Sequence, residues 1–112
     1  MALQNANDAV IDPVKIRDYL LSPSHPVGRF KARFFEALGY TVDQAERLEQ
    51  DIRNLLLTTE PQVRERTKFG QKYEIRGVIA GPRNRSAELV TVWIVLAGEE
   101  VPRFITAYPG GE

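Results

Sequence analysis

The sequence predicts an α+β fold in which N-terminal helices pack on an antiparallel β-meander of three to four strands. Two observations carry this prediction. Apolar residues recur with a helical period as far as Thr58, and from Lys72 onward the pattern changes to the alternation of strands. The later segments are joined by short connections that contain Gly or Pro, which is typical of consecutive antiparallel strands.

The composition indicates one domain over residues 1–112, with residues 1–11 expected to form a flexible segment. The chain has no cysteine, one histidine and no Gly-rich phosphate loop, so we expect no metal and no cofactor. No apolar run approaches the roughly 20 residues that span a bilayer. The first residues lack the basic and apolar parts of a secretory signal. A cytoplasmic protein that does not bind membranes is therefore expected.

The first and third predicted helices have marked starts. Asp12 before Pro13 is a strong start signal, because an N-cap acid is followed by proline in the first turn. Thr41 is expected to start the third helix, since its spacing to Gln44 fits a capping box. The apolar face of that helix consists of Leu48, Ile52, Leu55 and Leu56.

The second predicted helix, residues 24–40, carries the only histidine. Pro26 suits the first helical position and leaves His25 as the N-cap, while Gly39 suits the left-handed position after the last turn. Lys31 falls at the border of the apolar side, where a lysine must reach water, pair with an acid or act in a site. That apolar side consists of Val27, Phe30, Phe34, Ala37 and Leu38.

Three later segments are predicted as strands, with a fourth at the sheet edge: 72–80, 88–96, 103–108 and, at the edge, 63–69. Residues 88–96 are rich in β-branched and aromatic residues and apolar on both faces, so this strand is predicted to be central. Trp93 and Phe104 are expected in the core. The other expected buried residues are Phe30, Phe34, Leu38, Leu48, Ile52, Val92 and Ile94.

Charge is unevenly distributed although the net charge is zero. The stretch 64–85 contains seven basic residues against two acidic ones, whereas 41–60 contains five acidic residues against two basic ones. One half is therefore expected to present a positive surface, and ordinary solvated charges are the alternative. The neutral total argues against a protein that coats nucleic acid generally.

His25 and Lys31 are the leading candidates for chemistry in a metal-independent acid–base site. The positive end of a helix dipole disfavours imidazolium, so His25 is expected to be neutral near pH 7 and able to act as a base. The free N–H groups there can hold an anion such as phosphate. The alternatives are that His25 only caps its helix and that Lys31 only extends its ammonium to water.

Thr106 and Tyr108 complete the predicted catalytic set. They are expected to share one face of the last strand with Phe104, and cross-strand packing is the alternative role. Lys72 and Arg76 are expected to line the opposite face. The predicted substrate-binding residues are Arg29, Lys72 and Arg76.

Four blocks of the chain resemble a bacterial domain-of-unknown-function family: HPVGRFKARFFEALGY at 25–40, GQKYEIRG at 70–77, TVWI at 91–94 and PRFITAYP at 102–109. The resemblance covers nearly the whole chain and implies no established activity. More remotely, helices followed by an antiparallel meander are similar to the barnase–EndoU–colicin–RelE group, which includes bacterial toxin ribonucleases.

The remote resemblance implies a metal-independent endoribonuclease that acts on RNA. It implies that His25 is base or acid, that Lys31 and Arg29 hold phosphate, and that Thr106 or Tyr108 contacts the phosphate or leaving group. The alternative is a non-catalytic binding module, such as an immunity protein, an antitoxin-like protein or an accessory partner. Such a module is expected to dock on its partner through the acidic third helix or an edge strand. The partners expected of the protein are RNA and a cognate antitoxin or other partner protein.

Overall fold

The computed structural model describes residues 3–22, residue 24 and residues 29–110, with the backbone alone for residues 29 and 30. The helical elements are a 3₁₀ turn Ala6–Asp8, a π-helix Lys15–Leu20, α1 Arg29–Leu38, a 3₁₀ turn Val42–Gln44 and α2 Ala45–Thr58. The strands are β1 Gln62–Thr67, β2 Gly70–Ala80, β3 Ser86–Leu96 and β4 Pro102–Pro109. The predicted α+β fold, with helices ahead of an antiparallel sheet, is confirmed.

The sheet is a four-stranded antiparallel meander in the order β1-β2-β3-β4. β3 lies between β2 and β4, which confirms the prediction that residues 88–96 form an interior strand. β1 is an edge strand, as expected for the segment 63–69. β4 forms the other edge, where Val10 makes an isolated parallel bridge to Arg103.

The first helix begins where Asp12 predicts. The Asp12 carboxylate accepts a hydrogen bond from the Val14 N–H at 3.0 Å, which satisfies one of the free donors of the first turn. The helix then widens into π geometry, with the Leu21 N–H donating to the Ile16 carbonyl at 3.0 Å. Residues 3–11, expected to be flexible, contribute three buried side chains to the core: Ala6, Ala9 and Ile11.

The ends of α1 and α2 differ from the expectation in one respect. Gly39 has φ 105°, and a Cβ there would lie 2.7 Å from the Arg83 backbone nitrogen, which confirms the predicted left-handed glycine. The capping box at Thr41 is wrong, because the Gln44 N–H donates to the Thr41 carbonyl in a 3₁₀ turn instead. The predicted N-cap, His25, lies outside the described residues.

The buried face of α1 is rotated relative to the prediction. Among the described side chains of α1, the buried ones are Ala32, Phe35 and Leu38, whereas Phe34 is half-buried and Ala37 is exposed. The side chain of Phe30, also predicted to be buried, lies outside the described ones. Tyr40 after the helix packs edge-on against Phe35, with ring centroids 6.3 Å apart. α2 buries Leu48, Ile52 and Leu56 as expected. No helix among the described residues is long and apolar enough to cross a membrane.

Trp93 lies at the centre of the core between sheet and helices. Its ring meets Phe104 edge-on, with centroids 5.3 Å apart, and its indole N–H donates to Thr91 Oγ1 at 2.8 Å. Both aromatic residues are buried as predicted. The predicted burial of Val92 and Ile94 is wrong, since both are half-buried. They alternate with Trp93 along β3 and therefore lie on the other sheet face.

Candidate functional site

An extra residue in β4 decides where the predicted site residues lie. Phe104 pairs with Trp93, but Thr106 pairs with Val92, so Ile105 forms a β-bulge. A shift of one residue moves the following side chains to the other face of a sheet. The expectation that Thr106 shares the face of Phe104 is therefore wrong.

The bulge places predicted residues from two strands on one face. The pairings Thr106–Val92–Glu74 and Tyr108–Val90–Arg76 align β4, β3 and β2. The side chains of directly paired residues lie on the same side of the sheet. The prediction that Lys72 and Arg76 lie opposite Thr106 and Tyr108 is wrong for this reason. We define the open face as Lys72, Glu74, Arg76, Val90, Val92, Ile94, Thr106 and Tyr108. None of them belongs to the core cluster of the described residues, and Val90 alone among these eight is fully buried.

Lys31 meets the open face at the bulge. Its ammonium donates to Thr106 Oγ1 at 2.8 Å and to the Tyr19 hydroxyl at 2.9 Å, and it lies 4.9 Å from the centroid of the Tyr19 ring. The Lys15 ammonium donates to the Ile105 carbonyl at 3.1 Å. We call Tyr19, Lys31 and Thr106 the Lys31 cluster. The structure thus brings together two residues of the predicted catalytic set.

The charge of Lys31 is partly buried and has hydroxyl partners. None of the ion pairs between described residues includes Lys31. Since no carboxylate of the described residues neutralises this ammonium, its charge can attract an anion. The Lys31 cluster can therefore hold one oxygen of a phosphate, with the Thr106 hydroxyl beside it.

Tyr19 is the residue of this cluster that the sequence did not single out for chemistry. The hydrogen bond from Lys31 lowers the pKa of Tyr19, with smaller contributions from Thr106 and Lys15, while burial acts in the opposite direction. A phenol whose pKa is lowered releases its proton more readily. In the sequence, Tyr19 lies on the apolar side of its helix, which indicates a core residue. Its contact with Lys31 could not be predicted, because Lys31 lies on a different helix.

Tyr108 belongs to a second group of polar side chains on the open face. Its hydroxyl donates to Glu74 Oε2 at 3.3 Å, and Arg64 donates to Glu74 Oε1 at 2.9 Å. The hydrogen bond from Arg64 lowers the pKa of Glu74, whereas burial and then the Glu74 charge raise the pKa of Tyr108. Glu74 is therefore held ionised and Tyr108 protonated.

The predicted substrate-binding residues Arg76 and Lys72 differ in the partners that their charged groups contact. Arg76 donates to Glu88 Oε1 at 3.1 Å and to the Gly110 carbonyl at 2.9 Å. Lys72 lies 3.9 Å from the exposed carboxylate of Glu65. Solvated pairs of this kind are weak, so an incoming phosphate can compete for both cations.

Two predicted residues cannot be placed from their side chains. His25 lies outside the described residues, and Arg29 is described by its backbone at the start of α1. Among the described residues, no group of three or more histidine or acidic side chains is arranged to hold a metal ion.

A family model identifies the chain. The model of a domain of unknown function, DUF6883, matches residues 2–111. The chain belongs to the DUF6883 family. The predicted resemblance to a domain-of-unknown-function family is thereby confirmed. No curated protein matches this DUF6883 domain.

The fold of this DUF6883 domain also occurs in a solved structure. It is similar to a chain of a contact-dependent growth inhibition toxin–immunity protein complex from Klebsiella pneumoniae 342, with a TM-score of 0.70 and 17% sequence identity. The similarity covers 97% of this chain and 99% of that chain. At this identity the likeness shows the fold alone.

Proposed function

We propose that this DUF6883 domain is a toxin-type endoribonuclease that cleaves the RNA backbone without a metal ion. One observation carries the proposal: the bulge at Ile105 sets Thr106 against the Lys31 ammonium, at the border of a face that also presents Lys72 and Arg76. Cations and hydroxyls around one point are what phosphoryl transfer without a metal requires.

The chemistry is attack of the RNA 2′-hydroxyl on the adjacent phosphorus. The bond from phosphorus to the 5′-oxygen of the next nucleotide breaks, and the products are a 2′,3′-cyclic phosphate and a 5′-hydroxyl. A base removes the 2′-hydroxyl proton, and an acid protonates the departing 5′-oxygen.

Each proposed role follows from the surroundings of the residue. Lys31 binds a non-bridging phosphate oxygen and Thr106 orients it, since their mutual contact fixes both groups. Tyr19 gives a proton to the leaving oxygen, because Lys31 lowers its pKa. His25 takes the 2′-hydroxyl proton, and Arg29 holds phosphate at the start of α1; these two roles rest on the sequence.

The similar solved structure supports a role in a toxin–immunity system, because that structure is a complex of a toxin and an immunity protein. The likeness in fold is compatible with either partner. The Lys31 cluster favours the toxin, since a half-buried ammonium beside a phenol of lowered pKa suits acid–base chemistry on a phosphate.

Incubation of the purified full chain with single-stranded RNA in EDTA tests the proposal. We expect cleavage that leaves 2′,3′-cyclic phosphate ends, detected by mass spectrometry, with a pH dependence set by a group near the histidine range, about 6.5 when unperturbed. RNA that stays intact at micromolar protein over the whole pH range would contradict the nuclease.

An immunity protein is the second candidate, and the ion pairs of the open face favour it. Arg64–Glu74 and Arg76–Glu88 neutralise part of the charge at that face, which leaves fewer cations for an RNA backbone. This candidate predicts no RNA cleavage and a stable complex with a toxin that survives His25→Ala. Protection of growing cells from a co-expressed toxin would decide for it.

A further inference from the structure

The tip of the β1–β2 hairpin carries cations and an aromatic ring that the Lys31 cluster does not use. We define the hairpin tip as Arg66, Lys68 and Phe69. All three side chains are exposed, and Phe69 is exposed to 62%. Neither Arg66 nor Lys68 belongs to an ion pair between described residues.

The backbone holds the Phe69 ring outward. The Phe69 N–H donates to Thr67 Oγ1 at 3.1 Å, and its carbonyl accepts from the Ala97 N–H at 2.8 Å. The neighbouring β3–β4 turn thus fixes the residue from one side and its own strand from the other. The Lys68 ammonium lies 5.2 Å from the ring centroid, within cation–π range. The backbone of Phe69 is therefore fixed, and its exposed ring lies beside a cation.

We propose that the hairpin tip binds single-stranded RNA, with Phe69 stacking on a base and Arg66 and Lys68 contacting phosphates. The choice of RNA rests on the proposed function. Sites for single strands combine aromatic platforms with cations along the backbone path. An exposed phenylalanine between two cations provides both parts of such a site, a surface for base stacking and charges for the phosphates.

The tip is placed to extend the cleavage site. Lys72, two residues beyond Gly70 on β2, belongs to the open face and leads from the tip towards Thr106. Arg66 pairs with Gln71, which alternates with Lys72 along β2, so Arg66 lies on the other side of the hairpin and a bound strand would pass around its end. Gly70 and Glu74 are about 13 Å apart along β2. From Glu74, two strand spacings, together about 10 Å, lead across β3 to β4. An RNA of several nucleotides reaches both places. The tip would therefore raise affinity for RNA strands longer than a dinucleotide.

Fluorescence anisotropy with a labelled single-stranded RNA of about a dozen nucleotides tests this inference. The full chain carries Lys31→Met so that RNA stays uncut, and Arg66→Gln/Lys68→Gln is compared with Arg83→Gln/Arg85→Gln. The control pair removes the same charge from the exposed β2–β3 loop. We expect about a tenfold loss of affinity for the tip variant, and a salt slope smaller by about 1.4 for two lost phosphate contacts.

The ring is tested separately from the charges. Phe69→Ala is expected to weaken binding about tenfold, and Phe69→Trp to retain it, because both phenylalanine and tryptophan stack on a base. Equal losses for the tip pair and the control pair would overturn the inference, as would no RNA binding at all. Normal RNA binding with loss of a protein partner would also overturn it and assign the tip to that partner.

Failure of the proposed function gives a different result. A chain that binds RNA through the tip but never cleaves it contradicts the nuclease and leaves this inference standing. A chain that cleaves RNA but binds it equally well without Arg66, Lys68 or Phe69 supports the nuclease and contradicts RNA binding by the hairpin tip.

Discussion

The two faces of the sheet differ in burial and in polarity. The covered face carries Trp93, Phe104 and Ala107, all of them buried against the helices. The open face carries Thr106 and Tyr108 on the same strand, with hydroxyls that contact charged groups. In β4, Phe104 thus belongs to the core, and Thr106, two positions later, belongs to the Lys31 cluster.

The difference shows what one extra residue does to an edge strand. Before Ile105, β4 contributes Phe104 to the core, and after it the register returns Ala107 to the core and turns Thr106 outward. Bulges often lie beside functional sites because they re-aim side chains without breaking the sheet. At the bulge, the Lys15 ammonium donates a hydrogen bond to the Ile105 carbonyl and so gives this backbone group a partner.

Replacement of Trp93 by alanine gives the largest expected effect on the covered face. The ring is fully buried against Phe104, so we expect Trp93→Ala to lower the free energy of unfolding by about 3–5 kcal/mol, measured by urea denaturation. Ile94→Ala on the open face is the control and is expected to cost less, since Ile94 is half-buried. Equal losses at both positions would show that the open face is also a core.

The sequence predicts the elements of this fold well, but it does not predict which face each residue occupies. Periodicity finds α2 and β2, whereas β-branched and aromatic composition finds β3, because each of these signals extends over most of its segment. β3 is apolar on both sides, so its pattern cannot tell the face of Trp93 from that of Val92. The size of Trp93 makes its burial predictable without the pattern.

The candidate site is harder to predict because it depends on pairing between distant segments. Nothing in the segment 103–108 marks an extra residue, and only its register with β3 reveals the bulge. Lys31 and Thr106 are 75 residues apart in the chain. Their residue types mark them as candidates, but their contact arises from the packing of α1 beside β4.

Replacement of Lys31 by methionine gives the next largest effect, and it acts on activity. Methionine keeps most of the apolar stem and removes the charge, so we expect the rate of RNA cleavage to fall by about 10²–10³. The free energy of unfolding should stay within about 1 kcal/mol of wild type, because water can reach the two hydroxyls of this half-buried group. Both quantities are measured on the same preparation.

Arg33→Met is the matched control, because it removes an exposed cation from the same helix. It should leave both activity and stability close to wild type. Unchanged cleavage in Lys31→Met would mean that this lysine serves only to hold Tyr19 and Thr106 in place.

Thr91→Val is expected to have a moderate effect on the covered face. Thr91 Oγ1 accepts from the Trp93 indole and donates to the Ile75 carbonyl at 3.2 Å, and the residue is fully buried. Valine has the same shape but leaves the indole N–H without a partner, at a cost of about 1–3 kcal/mol. Thr91→Ser keeps the hydroxyl and separates this loss from that of a methyl group, so a serine variant as unstable as the valine variant would contradict the role of the hydrogen bond.

Glu74→Gln is expected to have the smallest effect, and its size should depend on pH. Arg64 lowers the pKa of Glu74 in the folded state, so the folded chain favours the ionised carboxylate more than the unfolded chain does. This contribution to stability is present above the unfolded pKa, about 4.3, and is lost as the pH falls through the folded value. Wild type should therefore exceed Glu74→Gln in stability at pH 7, and the difference should vanish at low pH.

A double-mutant cycle that combines Glu74→Gln with Arg64→Gln measures the interaction energy of the Arg64–Glu74 ion pair, which is the source of this pH dependence. The coupling between the two residues, measured by urea denaturation, should be present at pH 7 and absent once Glu74 is protonated. Salt should reduce it, because the Arg64 side chain is solvated and its charge is screened. A coupling that persists at low pH would mean that Glu74 acts through packing, and the open face would then resemble the covered face more closely than its exposed ion pairs indicate.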